Sequence, residues 1–215
     1  MVHSTMPGDT VRAPGGGVVG GGGRTFWLVR HGESTWNARG LAQGHRDEAR
    51  LTQHGVRQAW AVVGQLCDRP IGALYSSDLH RALATAAPLA PVLGLDVIRD
   101  ARLRERCLGV LEGGATAAVS PAVSGVRADR VADPDARPPE GESLRDFYRR
   151  VAGFVDDLAT RCSSGDLPGE VVIFAHGGTL RMLNACLRQI PVEQMRWEPL
   201  GNGCVLRACA HFANS

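Results

Sequence analysis

The sequence predicts an α/β fold, a three-layer sandwich around a mostly parallel central sheet, on three observations. Short apolar runs alternate with segments of helical period, those runs are apolar from flank to flank, and polar, chemically capable residues follow almost every one of them. With 215 residues and 44% hydrophobic content the chain can bury a full core, and its length suits one domain.

Taken in order, residues 1–23 carry the run GGGVVGGGG without hydrophobic period and read as a flexible Gly-rich tail ahead of a single domain over 24–215. No strand precedes that run and no GK[ST] follows it, which argues against a nucleotide phosphate loop. Strands are expected at Phe26 to Val29, Ile71 to Tyr75, Val97 to Arg99 and Val171 to Ala175. Behind a Thr52 cap, Val56, Ala59, Trp60, Val63 and Leu66 recur at helical spacing. Leu79, Ala82, Leu83, Ala86, Ala90 and Leu93 do so after Ser77, and Leu144, Phe147, Val151, Phe154, Val155 and Leu158 after Glu142. The stretch from about 113 to 139, rich in Ala, Gly, Pro and Asp, breaks the alternation and reads as an insertion or lid.

Charge narrows the chemistry. The 24 basic residues nearly balance 22 acidic ones, so a net charge of +2 makes no case for nucleic acid or an anionic membrane as partner. All 24 are arginine, which excludes a phosphate-loop lysine, a Schiff base and a lysine general base. Six cysteines without a CxxC pair, several in apolar runs, read as buried free thiols in a reducing cytoplasm. No stretch approaches the length of a bilayer span, and the N-terminus lacks the pattern of a secretory leader.

In an α/β sheet the ligand site lies at the carboxyl ends of the strands, and the sequence places its polar residues there. FWLV runs into Arg30-His31-Gly32-Glu33-Ser34, IGALY into Ser76-Ser77-Asp78 with Arg81, and VVIFA into His176-Gly177-Gly178. Arg102, Arg104, Glu105 and Arg106 follow the strand at Val97 within a turn. In a parallel sheet these loops share one rim, where two histidines, at least two arginines and a carboxylate form an anion site with a nucleophile in it. Singly, each histidine is more often a turn residue and each arginine or glutamate a surface residue; the joint placement carries the inference.

LVRHGESTWN closely resembles the RHG signature of the histidine phosphatase (phosphoglycerate mutase-like) superfamily, and LTQHGVRQA, SSDLHRALATA, LRERCLGVLEG, GES and FAHGG resemble its later blocks in order. The resemblance covers about residues 26–205. It implies that His31 is the nucleophile, that Arg30 and Arg81 neutralise phosphoryl oxygens, and that His176 adds a donor or positive charge. It assigns Glu105 as proton donor and later base, with Asn37, Ser34, Gly44, Gly177 and the helix start after Ser77 on the phosphate side. Neither a metal nor a cofactor is expected, because arginines take the charge role. Family relatives are often dimers, so a homodimer is an expectation of the same kind.

The implied activity is hydrolysis of a small phosphate monoester, such as a sugar or glycerate phosphate. A phosphoglycerate mutase is the alternative, but its pattern has a tyrosine where this chain has Leu108, HGN where this chain has Gly178, and a lysine and paired arginines in the insertion. A phosphoprotein phosphatase and a non-catalytic phosphate-binding module are the remaining readings. No cysteine has an arginine six places on, which excludes the cysteine phosphatase loop, and Asp133 and Asp135 follow no strand.

Overall fold

The computed structural model describes residues 23–212, so the Gly-rich run lies outside the described residues except for Gly23. Five strands form one sheet: β1 (Arg24–Arg30), β2 (Ile71–Ser76), β3 (Val97–Arg99), β6 (Glu170–Ala175) and β7 (Val205–Ala210), in the order β3-β2-β6-β1-β7. β4 (Val126–Arg127) and β5 (Arg130–Val131) pair separately as a small hairpin. The first four sheet strands are parallel and β7 runs antiparallel to β1. That edge strand, absent from the expected set, alternates exposed and buried residues.

Alternation along the strands feeds two cores, one on each face. Phe26, Leu28, Val171 and Ile173 face the helices α6 (Leu144–Ser163) and α7 (Gly177–Leu187), meeting Phe147, Val151, Phe154 and Leu180. Val29, Leu74, Val172 and Phe174 face α2 (Gln53–Leu66), α3 (His80–Ala86) and α4 (Leu89–Leu93), meeting Val62, Leu66, Ala86 and Leu89. Both faces are covered, which is why the strands read as unbroken apolar runs. Each fully buried side chain of this size stabilises by about 1.5–3 kcal/mol.

Caps set the helix ends. Thr52 accepts from the Gly55 amide at 3.0 Å and starts α2, and Ser143 with Asp146 forms a reciprocal capping box at α6. The helix expected over Leu79 to Leu93 is two helices, because Pro88 lacks the amide that would continue α3; α4 then ends on Gly94 at φ 66°. Ser77 does not cap α3, whose N-cap is Leu79 without a side-chain bond. None of the six cysteines is fully buried, contrary to expectation; five are intermediate, Cys209 is exposed, and all are free.

The 113–139 stretch holds a 3-10 turn at Thr116–Ala118, α5 (Pro121–Ser124) and the β4-β5 hairpin. No helix among the described residues is long and apolar enough to cross a membrane.

Candidate active site

Register builds the site. Arg30 of β1 lies opposite Ala175 of β6, so the next residues, His31 and His176, leave the sheet side by side, with ring centroids 5.1 Å apart. The His31 amide donates to Ala175 O at 2.9 Å, and the Ser77 amide, leaving β2, donates to Phe174 O at 2.9 Å. Three strand ends thereby converge within one hydrogen-bonded rim, as a parallel sheet requires of its carboxyl edge.

His31 is 3% exposed. Its Nδ1 lies 2.8 Å from the Gly32 carbonyl, which only accepts, so Nδ1 carries the proton and Nε2 keeps the lone pair. Burial, then Arg81, then Arg30 push the His31 pKa well below its ordinary value. A neutral imidazole that shares a cavity with two guanidinium groups has the lone pair a nucleophile needs, beside charges suited to a phosphoryl group.

Arg81 comes from the first turn of α3 and is 1% exposed. Its Nη1 and Nη2 donate to Arg46 O and Gly44 O at 2.8 Å each, and its Nε to His176 Nδ1 at 3.2 Å. Burial pulls its pKa down to about 10, opposed by Glu105 and Asp47, so it stays charged at neutral pH. Gly44 lines the cavity at φ 49°, and a Cβ there would meet Glu112 Oε1 at 2.0 Å, so the loop that holds Arg81 requires glycine.

His176 accepts from Arg81 at Nδ1, which leaves the proton on Nε2, 2.9 Å from Ser77 Oγ. Burial, with Arg81 next, holds its pKa well below the usual imidazole range. Of the two roles expected for it, a positive charge does not fit this environment; it is a neutral ring with both nitrogens occupied.

Arg30 sends Nη1 to Leu200 O, while its Nε is buried without a hydrogen-bond partner. An unpaired buried guanidinium N–H costs stability until an acceptor arrives. Burial lowers its pKa, and Glu105 opposes this. Gly177 stands beside it: a Cβ there would lie 3.4 Å from Arg30 Nε and 3.3 Å from Arg181 Nη1.

Glu105 reaches the rim from the loop after β3. Its Oε2 accepts from the Gly178 amide and its Oε1 from the Arg106 amide, both at 2.9 Å. A Cβ at Gly178 would meet Glu105 Oε1 at 2.2 Å and Phe147 Cε1 at 3.0 Å, so the carboxylate occupies the space a side chain there would need. His45 and Arg150 hold the Glu105 carbonyl at 2.9 and 3.1 Å.

The phosphate-side expectations divide. Asn37 lines the cavity, and its Oδ1 accepts from the Ser34 amide and from Asn202 Nδ2, both at 3.1 Å, which turns the Nδ2 end to a ligand. Ser34 is fully buried, caps α1 (Thr35–Ala38) and bonds Gln43 at 2.9 Å; it orients Asn37 and does not line the cavity. At the helix start after Ser77 two amides are already committed, that of His80 to Asp47 at 2.6 Å and that of Leu79 to Ser77 Oγ at 3.3 Å. Arg102 pairs with Asp100 and Asp157, and Arg104 with Asp78, away from the cavity.

Residues that had no role assigned to them complete the site. Ser77 Oγ accepts from His176 Nε2; Arg181, stacked 4.9 Å over Trp197, lines the cavity; Arg106, 5% exposed, donates to Glu142 O, Ser124 O and Ala136 O at 2.7, 2.6 and 2.8 Å. Arg181 sits four residues beyond Gly177, one turn along α7 on the same side, a spacing visible in the sequence once that helix is known. The cavity, about 450 Å3, has the polar groups at one end and Leu41, Leu108, Val119, Val126 and Trp197 among its other lining residues. Among the described residues no group of three or more His, Cys, Asp or Glu is placed to hold a metal ion.

Comparisons with known proteins agree with this geometry. Residues 26–211 match the model of the histidine phosphatase superfamily, branch 1. A probable phosphoglycerate mutase GpmB of Klebsiella pneumoniae is 36% identical over 184 residues, 84% of this chain and 82% of that one. A mycobacterial glucosyl-3-phosphoglycerate phosphatase solved with VO3 superposes with a TM-score of 0.74 at 33% identity, covering 86% of this chain and 92% of that one. A phosphoglycerate mutase of Bacillus anthracis shares the fold, with a TM-score of 0.73 at 24% identity over 89% of each chain. The chain, with its paired buried histidines at the carboxyl edge of a mostly parallel sheet, belongs to branch 1 of the histidine phosphatase superfamily.

Proposed function

We propose that the chain is a metal-independent phosphatase that hydrolyses a small phosphate monoester through a phosphohistidine at His31. The observation that carries this reading is His31 itself: buried, neutral, its Nδ1 proton committed to Gly32 O, and its ring in one cavity with Arg30 and Arg81, whose charges disfavour its protonation. His31 Nε2 forms a bond to phosphorus as the ester P–O bond breaks, and Glu105 gives its proton to the leaving alkoxide. Water then attacks phosphorus, Glu105 takes the water's proton, and the P–N bond breaks to release inorganic phosphate and neutral His31. Arg30, with its unpaired Nε, and Arg81 hold the non-bridging oxygens, while Asn37 Nδ2 adds a neutral donor. Arg181 gives the acceptor end a cation suited to a carboxylate on the substrate, as in a glycerate phosphate.

Hydrolysis is favoured over mutase chemistry by Gly178. Where the mutase pattern has an asparagine beside Glu105, glycine adds no side-chain donor, so this site has one group fewer with which to retain a bisphosphorylated intermediate. The mycobacterial relative named as a phosphatase supports the same choice, whereas the relative named as a probable mutase supports the alternative. In this reading one catalytic domain spans 24–215, and the 113–139 stretch is the wall that meets the organic part of the substrate.

The test is incubation of the protein with a chelator and a panel of phosphate monoesters including 2- and 3-phosphoglycerate, beside a His31→Ala variant. Phosphate release lost by about 10⁴-fold or more in the variant is the expected outcome for removal of a nucleophile. Interconversion of the two phosphoglycerates without release assigns a mutase and overturns the proposal.

A further inference from the structure

A second cavity, about 520 Å3, lies between α7, the 190–200 segment and β7. Four arginines line it: Arg181 and Arg188 from α7 and its C-cap, Arg196, and Arg207 from β7; Glu198 is its one carboxylate. Four guanidinium groups against one carboxylate leave an excess of three positive charges, while the whole chain carries +2. None of the four takes part in any ion pair among the described residues. Arg181 is held by the Glu198 carbonyl, and Arg207 Nη2 has a long bond to Thr25 Oγ1 at 3.4 Å.

Among the described residues six arginines are held in ion pairs, Arg46, Arg102, Arg104, Arg137, Arg145 and Arg150, and none of the six lines this cavity. Like charges gathered on one concave surface raise its potential and attract anions. The planar guanidinium fork binds phosphate or carboxylate through two parallel bonds. Leu180, Ile190, Leu200 and Leu206 add apolar lining, and the volume falls in the range of small-molecule sites.

We propose that this cavity is a second ligand site, which takes a small organic molecule bearing at least two anionic groups, phosphate or carboxylate, apart from the phosphoryl-transfer centre. Because Arg181 lines both cavities, it is the side chain through which an occupant of one is felt at the other.

The test is calorimetric titration of pyrophosphate, and separately of citrate, into the full chain with its catalytic cavity saturated by orthovanadate. The variants are Arg188→Ala/Arg196→Ala and the milder Arg188→Gln/Arg196→Gln, which leave the catalytic cavity untouched; near-UV circular dichroism checks their folding. The expected result is one equivalent bound per chain, weakened at least about tenfold in either folded variant, consistent with loss of charge-assisted bonds. Preference for pyrophosphate or for citrate assigns phosphoryl or carboxylate groups. No binding under vanadate, or binding equal in wild type and variants, overturns the proposal. So does a chain that binds neither anion but self-associates in sedimentation and becomes monomeric in the variants, which makes this face an interface.

Discussion

The two ends of the catalytic cavity are built by different means. At the phosphate end His31, Ser77 and His176 leave adjacent parallel strands, and hydrogen bonds fix His31 Nδ1, both nitrogens of His176 and the Arg81 fork. At the acceptor end the wall is a 3-10 turn, a four-residue helix and a hairpin of two two-residue strands, tied down by Arg106 through carbonyls at Ser124 and Ala136. Chemistry rests on sheet register, which a substitution shifts only at the cost of the core. Substrate choice rests on a stapled loop, which can change without touching that register.

Glu105→Gln attacks the phosphate end hardest. It keeps the size of the side chain beside Gly178 but removes the acid and base, and kcat is expected to fall by about 10²–10⁴-fold with a smaller change in KM. Steady-state kinetics on the best substrate of the panel decides it; a variant of normal kcat removes Glu105 from the reaction.

The pH dependence of stability belongs to the same end. His31 and His176 are held neutral in the folded protein well below the ordinary imidazole value, while in the unfolded chain they take up protons near 6.5. Their contribution is therefore whole above about pH 6.5 and is lost as pH falls below it, by up to about 2.7 kcal/mol per pH unit for two groups. Denaturant melts between pH 7.5 and 5 measure the slope, and His176→Gln is expected to halve it. For the same reason kcat/KM has no acid limb from His31 near 6.5; that limb lies well below.

Arg106→Met sharpens the contrast from the other end. Freeing the carbonyls of Glu142, Ser124 and Ala136 costs about 2 kcal/mol, and the loss concentrates in residues 113–139. Limited proteolysis there speeds up and KM rises, while kcat with a small, unselective phosphate ester stays within a few-fold; an equal fall in kcat shows that the two ends are not separable. Ser77→Ala is the mildest test, about 1 kcal/mol, because it removes one partner of His176 and leaves the Arg81 bond. A modest fall in kcat with unchanged KM is expected.

The legibility of the sequence follows the same division. Strand ends were readable because a parallel sheet covered on both faces needs continuous apolar runs, and the polar residues that stop those runs are the site. His31, His176, Arg81 and Glu105 were reachable in that way. β7 was not, since an antiparallel edge strand with alternate residues exposed carries a weak apolar signal. Pro88 was visible in the letters, yet the apolar period that runs through it masked the break between α3 and α4. Ser77 marked only the approach to a helix; its bond to His176 depends on a contact across 99 residues, which no local pattern encodes. Arg106 was placed near the rim without a role and Arg181 was not singled out, and what they do comes from carbonyls and rings supplied by distant loops.

The sheet order has a consequence for how the molecule comes into being. β6 lies between β2 and β1, so the first hundred residues, which carry His31, Arg30 and Arg81, leave an open slot where their central strand belongs. During synthesis this amino-terminal half holds His31 in a sheet that lacks the middle, with the edges of β1 and β2 unpaired until residues 170–175 emerge and insert. Contacts of such sequence separation form late and slowly. Competence for phosphoryl transfer therefore arrives with the last third of the polypeptide, and a ribosome-stalled chain ending before β6 is expected to be inert and prone to capture by chaperones.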